Sequence, residues 1–245
     1  MIKLITPLLC AAIGGAVFLS SEDVKASCAW TVKGSLQVDH RLAELASKFG
    51  NSALANVEVK VSAKERVFGV WGTWNAWSTV RTNASGAFVV SNTKNCDGRR
   101  FKVEVKFADD DLEVHWEHST SSLTKVKWYT VLDEGAGEHA AGTTDLGTRT
   151  FASGGAFDLN DDEAWSHADI WVLYKQALAT AASFGSASAF SGKVQVKYPH
   201  NSDVVSDTRE ASYANPTTKV IYIFRSNDGT RDHFNVPTLL HELGH

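Results

Sequence analysis

The chain lacks any block of basic residues. Its 24 Lys and Arg stand against 28 Asp and Glu, a net charge of −4 over 245 residues. A nucleic acid or an anionic membrane surface would require a concentrated positive field, so neither has electrostatic support. Cysteine is scarce: there are three, and no two form a CxxC pair, which argues against thiolate metal sites. The aspartate triplet Asp109-Asp110-Asp111 has no EF-hand spacing around it, so a solvated turn is expected there rather than a calcium site.

Aromatic residues make up 10% of the chain, with abundant Val, Phe and Trp, which indicates a globular protein. At the start, Lys3 precedes an apolar stretch from Leu4 to Leu19, and Val24-Lys25-Ala26 places small residues where a signal peptidase reads them. Residues 1–26 are therefore expected to be a secretory signal peptide. A retained membrane anchor is the alternative, although the apolar stretch is short for a comfortable bilayer span. Cys10 would leave with the signal peptide. Cys28 and Cys96 remain, and in an oxidising compartment they are expected to pair as a disulfide.

Residues 27–157 read mainly as short strands broken by turns. Trp30 to Val38 is an early strand. Leu42, Leu45, Ala46 and Phe49 recur at helical spacing before Gly50. Val57 to Val61 and Arg99 to Phe107 alternate apolar and charged residues, the period of a half-buried strand. Leu112, Val114 and Trp116 alternate in the same way. Trp71, Trp74 and Trp77 form a cluster with two readings: core filling, which is preferred, or an exposed platform for glycan or peptide.

The period changes at Asp158. Asn160 and Glu163 suggest a capping box, and Ala168, Trp171, Tyr174, Leu178 and Ala181 form the apolar stripe of a helix over 164–184. His167 and Asp169 on that helix are expected at its surface or as capping neighbours, not as a second metal site. Val194 to Tyr198 and Val220 to Phe224 read as strands. In the last helix Val236, Leu239, Leu240 and Leu243 give an apolar side, with Asn235 as its cap and Pro237 in its first turn.

That helix carries His241-Glu242-Leu243-Gly244-His245. On a helix, His241 and His245 lie one turn apart on one face, so both imidazoles can reach one metal ion, with Glu242 beside them as a general base. The spacing resembles the HExxH signature of zinc metallopeptidases of the zincin type, and the order helix, strand, strand, histidine-bearing helix over residues 158–245 is similar to the first part of their catalytic domain. The resemblance implies Zn2+ as cofactor, His241 and His245 as metal ligands, Glu242 as the catalytic base and a polypeptide substrate. It also implies a missing third ligand, for which His233 and Asp232 are upstream candidates. On this expectation the chain is the front part of a longer secreted metalloendopeptidase and has little or no activity by itself.

A second resemblance covers residues 29–155. Gly34, the Val57 to Val61 strand, Asp145-Leu146-Gly147-Thr148 and the turn Thr82-Asn83-Ala84-Ser85-Gly86-Ala87-Phe88 look like a transthyretin-like or carboxypeptidase-regulatory-like β-sandwich. Asn83 occupies the place where the family commonly has aspartate. The expected fold class is thus an N-terminal all-β sandwich, transthyretin-like, over 27–157, followed by a partial α+β zincin-like domain over 158–245. The competing function is a secreted β-sandwich module that binds glycan or protein and has no catalysis. A transthyretin-type carrier would need a dimer with a central channel, which nothing in the sequence indicates.

Overall fold

The computed structural model of the chain describes residues 26–67, 69–116, 126–135, 137–152, 156–184, 192–200, 211–225 and 234–244. The proposed signal peptide lies outside them except for Ala26, as do the expected loop at 186–191 and turn at 226–229.

The longest strand, β1 (Ser27–Asp39), organises the first sheet. Its inward positions Trp30, Val32, Leu36 and Val38 are each at most 1% exposed. β10 (Gly142–Phe151) runs parallel along one edge of β1. β6 (Ala87–Asn95) and the short β2 (Asn51–Ala53) share the other edge, both antiparallel. Between β1 and β2 lies α1 (Ala43–Phe49), which ends at Gly50 with φ 60°. The expected disulfide is present between Cys28 and Cys96, joining β1 to the residue just after β6.

The second sheet is built on β3 (Glu58–Val67) and β7 (Arg99–Lys106), paired antiparallel from Glu58 opposite Lys106 to Glu65 opposite Arg99. β5 (Asn75–Arg81) and the two-residue β4 (Val70–Trp71) pair with β3, and β9 (Tyr129–Asp133) lies outside β7. The strict alternation of β7 buries Phe101, Val103 and Val105 completely, each contributing up to about 1.5–3 kcal/mol by leaving water. The turn that enters β6 needs Gly86: its φ is +75°, and a Cβ there would stand 2.3 Å from the Leu36 carbonyl oxygen.

A third sheet has the order β12-β13-β11-β8. β11 (Val194–His200) and β13 (Val220–Phe224) run parallel, and β12 (Tyr213–Asn215) is an antiparallel edge. The other edge is β8 (Leu112–His115), drawn from the first half of the chain and parallel to β11. The turn before β8 is fixed by Asp109. Its Oδ1 accepts from the backbone N–H groups of Asp111 and Leu112, each at 2.9 Å, and its Oδ2 accepts from Lys175 at 2.8 Å. Burial opposes the charge on Asp109, but the Lys175 ammonium and the two N–H donors outweigh it and hold its pKa below the usual value. Asp110 and Asp111 are solvated as expected; Asp109 is buried and structural.

Helix α2 (Asp162–Ser183) follows a short 3-10 turn (Phe157–Asn160). Its cap is Asp161, not Asn160: the Asp161 carboxylate accepts from the N–H groups of Glu163 and Ala164. His167 and Asp169, expected near the surface, are completely buried, because this half of the helix is covered by the sheets on more than one side. The third helix, α3 (Val236–Gly244), is pinned to α2 by the Tyr174 hydroxyl, which donates to the Leu239 carbonyl at 2.8 Å.

One contiguous apolar core includes residues of all three sheets, α2 and α3. With β8 serving the third sheet and α2 packed against the first, the chain is a mixed α+β fold with three α-helices among the described residues. It shows no clear separation into an all-β sandwich and a zincin-like domain. No described helix is long and apolar enough to cross a membrane.

Candidate functional site

Two regions bear on function: the α3 helix and the outer face of the second sheet. In α3 the local expectations hold except at Leu240, which is 41% exposed rather than on the buried side. Asn235 caps the helix through its side-chain oxygen, which accepts from the Thr238 N–H at 2.9 Å. Leu239 and Leu243 are buried. His241 is exposed, and Glu242 is only 6% exposed, with an Oε2 that has no hydrogen-bond partner among the described residues. Both line an open cleft of about 500 Å³ with Ser212 and Thr238. The hydroxyl of Tyr174 is held well above its ordinary pKa, by burial first and then by the Glu242 charge.

The zinc expectation is overturned. Among the described residues no three His, Cys, Asp or Glu side chains gather into a group able to hold a metal ion. A helix can bring two imidazoles to one face, but a zinc centre requires a third protein ligand from elsewhere in the fold. No described residue brings one to His241. His245, and the candidates Asp232 and His233, lie outside the described residues. Zn2+, the base role of Glu242 in zinc-dependent peptide hydrolysis, and the metalloendopeptidase assignment are corrected accordingly.

The tryptophan cluster divides between two faces. Trp77 points inward and packs edge-on against Trp30 and Phe101, with ring centroids 6.2 and 5.2 Å apart. Between Trp30 and Trp77 lies the fully buried guanidinium of Arg99, 5.3 and 5.2 Å from the two rings and paired with Glu65. For Trp77, core filling is correct.

Trp71 and Trp74 face outward and are half-buried. The Arg100 guanidinium lies 4.1 Å from the Trp71 ring, and the Lys64 ammonium 4.3 Å from that of Trp74. A third indole, Trp128, just before β9, has Lys60 and Lys106 over it at 4.4 and 4.8 Å. The β3–β7 register opposes Glu58 to Lys106, Lys60 to Glu104, Ser62 to Lys102 and Lys64 to Arg100. Glu104 bonds Lys60 and Lys102, and Glu58 bonds Lys106. Burial works against the Glu104 carboxylate, yet its two lysines keep its pKa below the usual value.

In the β3–β7 ladder this face therefore carries five cations, Lys60, Lys64, Arg100, Lys102 and Lys106, against two carboxylates, and the flanking strands add Arg81 opposite Glu58 and Asp133 opposite Lys102, on a chain whose net charge is negative. Lys60 and Lys64 are four residues apart on one strand, so the two aromatic ends of the strip are separated by about 13 Å. The charged side of β7 was legible from its alternation. Trp128 was not, since it is an isolated aromatic whose position depends on how β9 docks.

No family model and no curated protein matches this chain. Among solved structures, a 9R-lipoxygenase from Cyanothece PCC8801 aligns at 16% identity and a TM-score of 0.26. The alignment covers 49% of this chain and 16% of the lipoxygenase. The major plantain pollen allergen Pla l 1 aligns at 11% identity, also with a TM-score of 0.26, over 50% of this chain and 91% of the allergen.

Proposed function

We propose that the protein is a secreted binding module whose ligand is an extended glycan bearing carboxylate groups. The observation that carries this reading is the outer face of the second sheet, where Trp71, Trp74 and Trp128 stand on a strip with an excess of cations. Indole faces pack against the apolar faces of sugar rings, and the lysines and arginine beside them attract carboxylates. Each ring is half-buried. The cations that pack on the rings restrict their rotamers, so less side-chain entropy is lost on binding. The roughly 13 Å strip suits several successive sugars better than a single one. The Cys28–Cys96 disulfide supports function in an oxidising, extracytoplasmic compartment.

The test is calorimetric titration with polygalacturonate oligomers and, in parallel, neutral cello-oligomers. Binding to the acidic oligomers is expected, weakening with salt. Trp74→Ala and Trp128→Ala should each weaken it about 2- to 12-fold, corresponding to one aromatic contact. Glu242→Gln should leave it unchanged. Equal affinity of both tryptophan variants and wild type would remove the outer face from the function, and exclusive binding of a protein ligand would favour a protein-recognition module.

A further inference from the structure

Far from the tryptophan face, three side chains from separate elements meet in a line. His40, just after β1, sends Nε2 to Ser52 Oγ in β2 at 2.7 Å and Nδ1 to Asp169 Oδ1 in α2 at 2.6 Å. The other Asp169 oxygen accepts from the backbone N–H groups of Arg41 and Leu42 at 2.9 and 3.2 Å. The side chains of His40 and Asp169 are wholly buried. Ser52 lies at the wall of a cleft of about 330 Å³ between β2 and α2, which it shares with Ala55, Trp171, Val172, Lys175 and Gln176.

We propose that Ser52, His40 and Asp169 form a nucleophilic triad that hydrolyses short-chain acyl esters in this cleft. An ionised Asp169 can only accept, so His40 carries its proton on Nδ1 and presents the Nε2 lone pair to the Ser52 hydroxyl, which donates to it. Three donors on one carboxylate fix its orientation and thereby the ring's tautomer. This is the arrangement that makes a serine hydroxyl nucleophilic, an adjacent base oriented by a third group. A network whose only task was to fasten α2 to β1 would not need its hydroxyl at the wall of a cleft. The cleft is at the small end of ligand-site volumes and mostly apolar, which restricts the acyl group to a few carbons. Gln176 supplies an amide N–H donor on the same wall, where the Lys175 ammonium is held by Asp109 and Asp111.

The chemistry balances with water as the only co-reactant. Ser52 Oγ forms a bond to the acyl carbon while its proton passes to His40 Nε2. The ester C–O bond then breaks, and the imidazolium returns that proton to the departing alkoxide. A water molecule attacks the acyl-serine, giving a proton to His40. The acyl–Oγ bond breaks, Ser52 recovers the proton from His40, and the carboxylic acid leaves. Asp169 stays ionised throughout, positioning the ring and stabilising the imidazolium. This proposal is independent of glycan binding, since neither face shares a residue with the other.

The experiment treats the folded, full chain with a fluorophosphonate and locates the adduct by peptide mass mapping, beside p-nitrophenyl acetate hydrolysis. A single adduct at Ser52 is expected, absent when the chain is unfolded in urea. Ser52→Ala, the loss of one hydroxyl from an edge strand, should abolish the adduct and lower ester hydrolysis at least about 100-fold while the circular dichroism stays native. A natively folded wild-type chain that takes up no phosphonate at Ser52 overturns the proposal, whatever the variants do. So does a folded Ser52→Ala chain that hydrolyses the ester at the wild-type rate.

Discussion

Lowering the pH from 7 to 4 should destabilise the fold through one buried imidazole. His167 is fully buried, with Nε2 2.6 Å from the Tyr198 carbonyl oxygen and Nδ1 2.7 Å from the Tyr129 hydroxyl. A carbonyl can only accept, so Nε2 carries the proton and Nδ1 accepts from Tyr129. Burial is the dominant effect and lowers the His167 pKa from 6.5 to about 4; the Tyr198 carbonyl pulls the other way, and Lys127 adds to the lowering. Above pH 6.5 the ring is neutral in both folded and unfolded chains, and the fold has its full stability. As the pH falls, the unfolded chain binds the proton first, so stability drops until the folded ring also titrates near pH 4. Each pH interval of one between those values corresponds to about 1.4 kcal/mol, so ~3 kcal/mol is lost across the window. Glu163 acts in the opposite sense, because burial above all raises its pKa and the folded state takes up its proton first. The assay is urea unfolding at half-unit pH steps, comparing wild type with His167→Gln, whose amide keeps one donor and one acceptor and does not titrate. Taking the difference between the two cancels Glu163 and the other carboxylates. The gap should shrink by ~3 kcal/mol between pH 6.5 and 4, since only wild type loses the His167 contribution. Parallel stability curves for the two proteins would refute the buried, neutral imidazole.

Cys28→Ser combined with Cys96→Ser opens a loop with a sequence separation of 68. Chain entropy puts the loss at up to about 4 kcal/mol, read as a lower urea midpoint that matches the wild-type protein under reductant. A midpoint unchanged by either treatment would remove the disulfide from the stability of the fold. Gly86→Ala forces a methyl group against the Leu36 carbonyl in a left-handed turn and should cost at least about 2 kcal/mol. An unaltered melting temperature would mean that β1 and the β6 turn are not in close contact.

The sequence determined the local geometry of this protein. A period of two in Phe101, Val103 and Val105 fixes which face of β7 enters the core, and helical spacing in Trp171 and Tyr174 does the same for α2, because alternation and helical repeat depend on neighbours a few residues away. The cap at Asn235, the turn at Gly86 and the pairing of Cys28 with Cys96 were legible for the same reason, or from redox chemistry. Partner choice among distant elements was not. Nothing local to Leu112–His115 indicates that β8 leaves the strands before it and joins β11 some 80 residues later. The two histidine-bearing sites show both sides of this. His241 and Glu242 read as half of a metal centre because the motif is local, and tertiary structure, among the described residues, brings no third ligand. His40, Ser52 and Asp169 carry no motif at all, since the contact from His40 to Asp169 spans 129 residues. Only the packing of α2 across the ends of β1 and β2 brings them together, and burial there, where an unpartnered polar group is costly, requires that each find its partner.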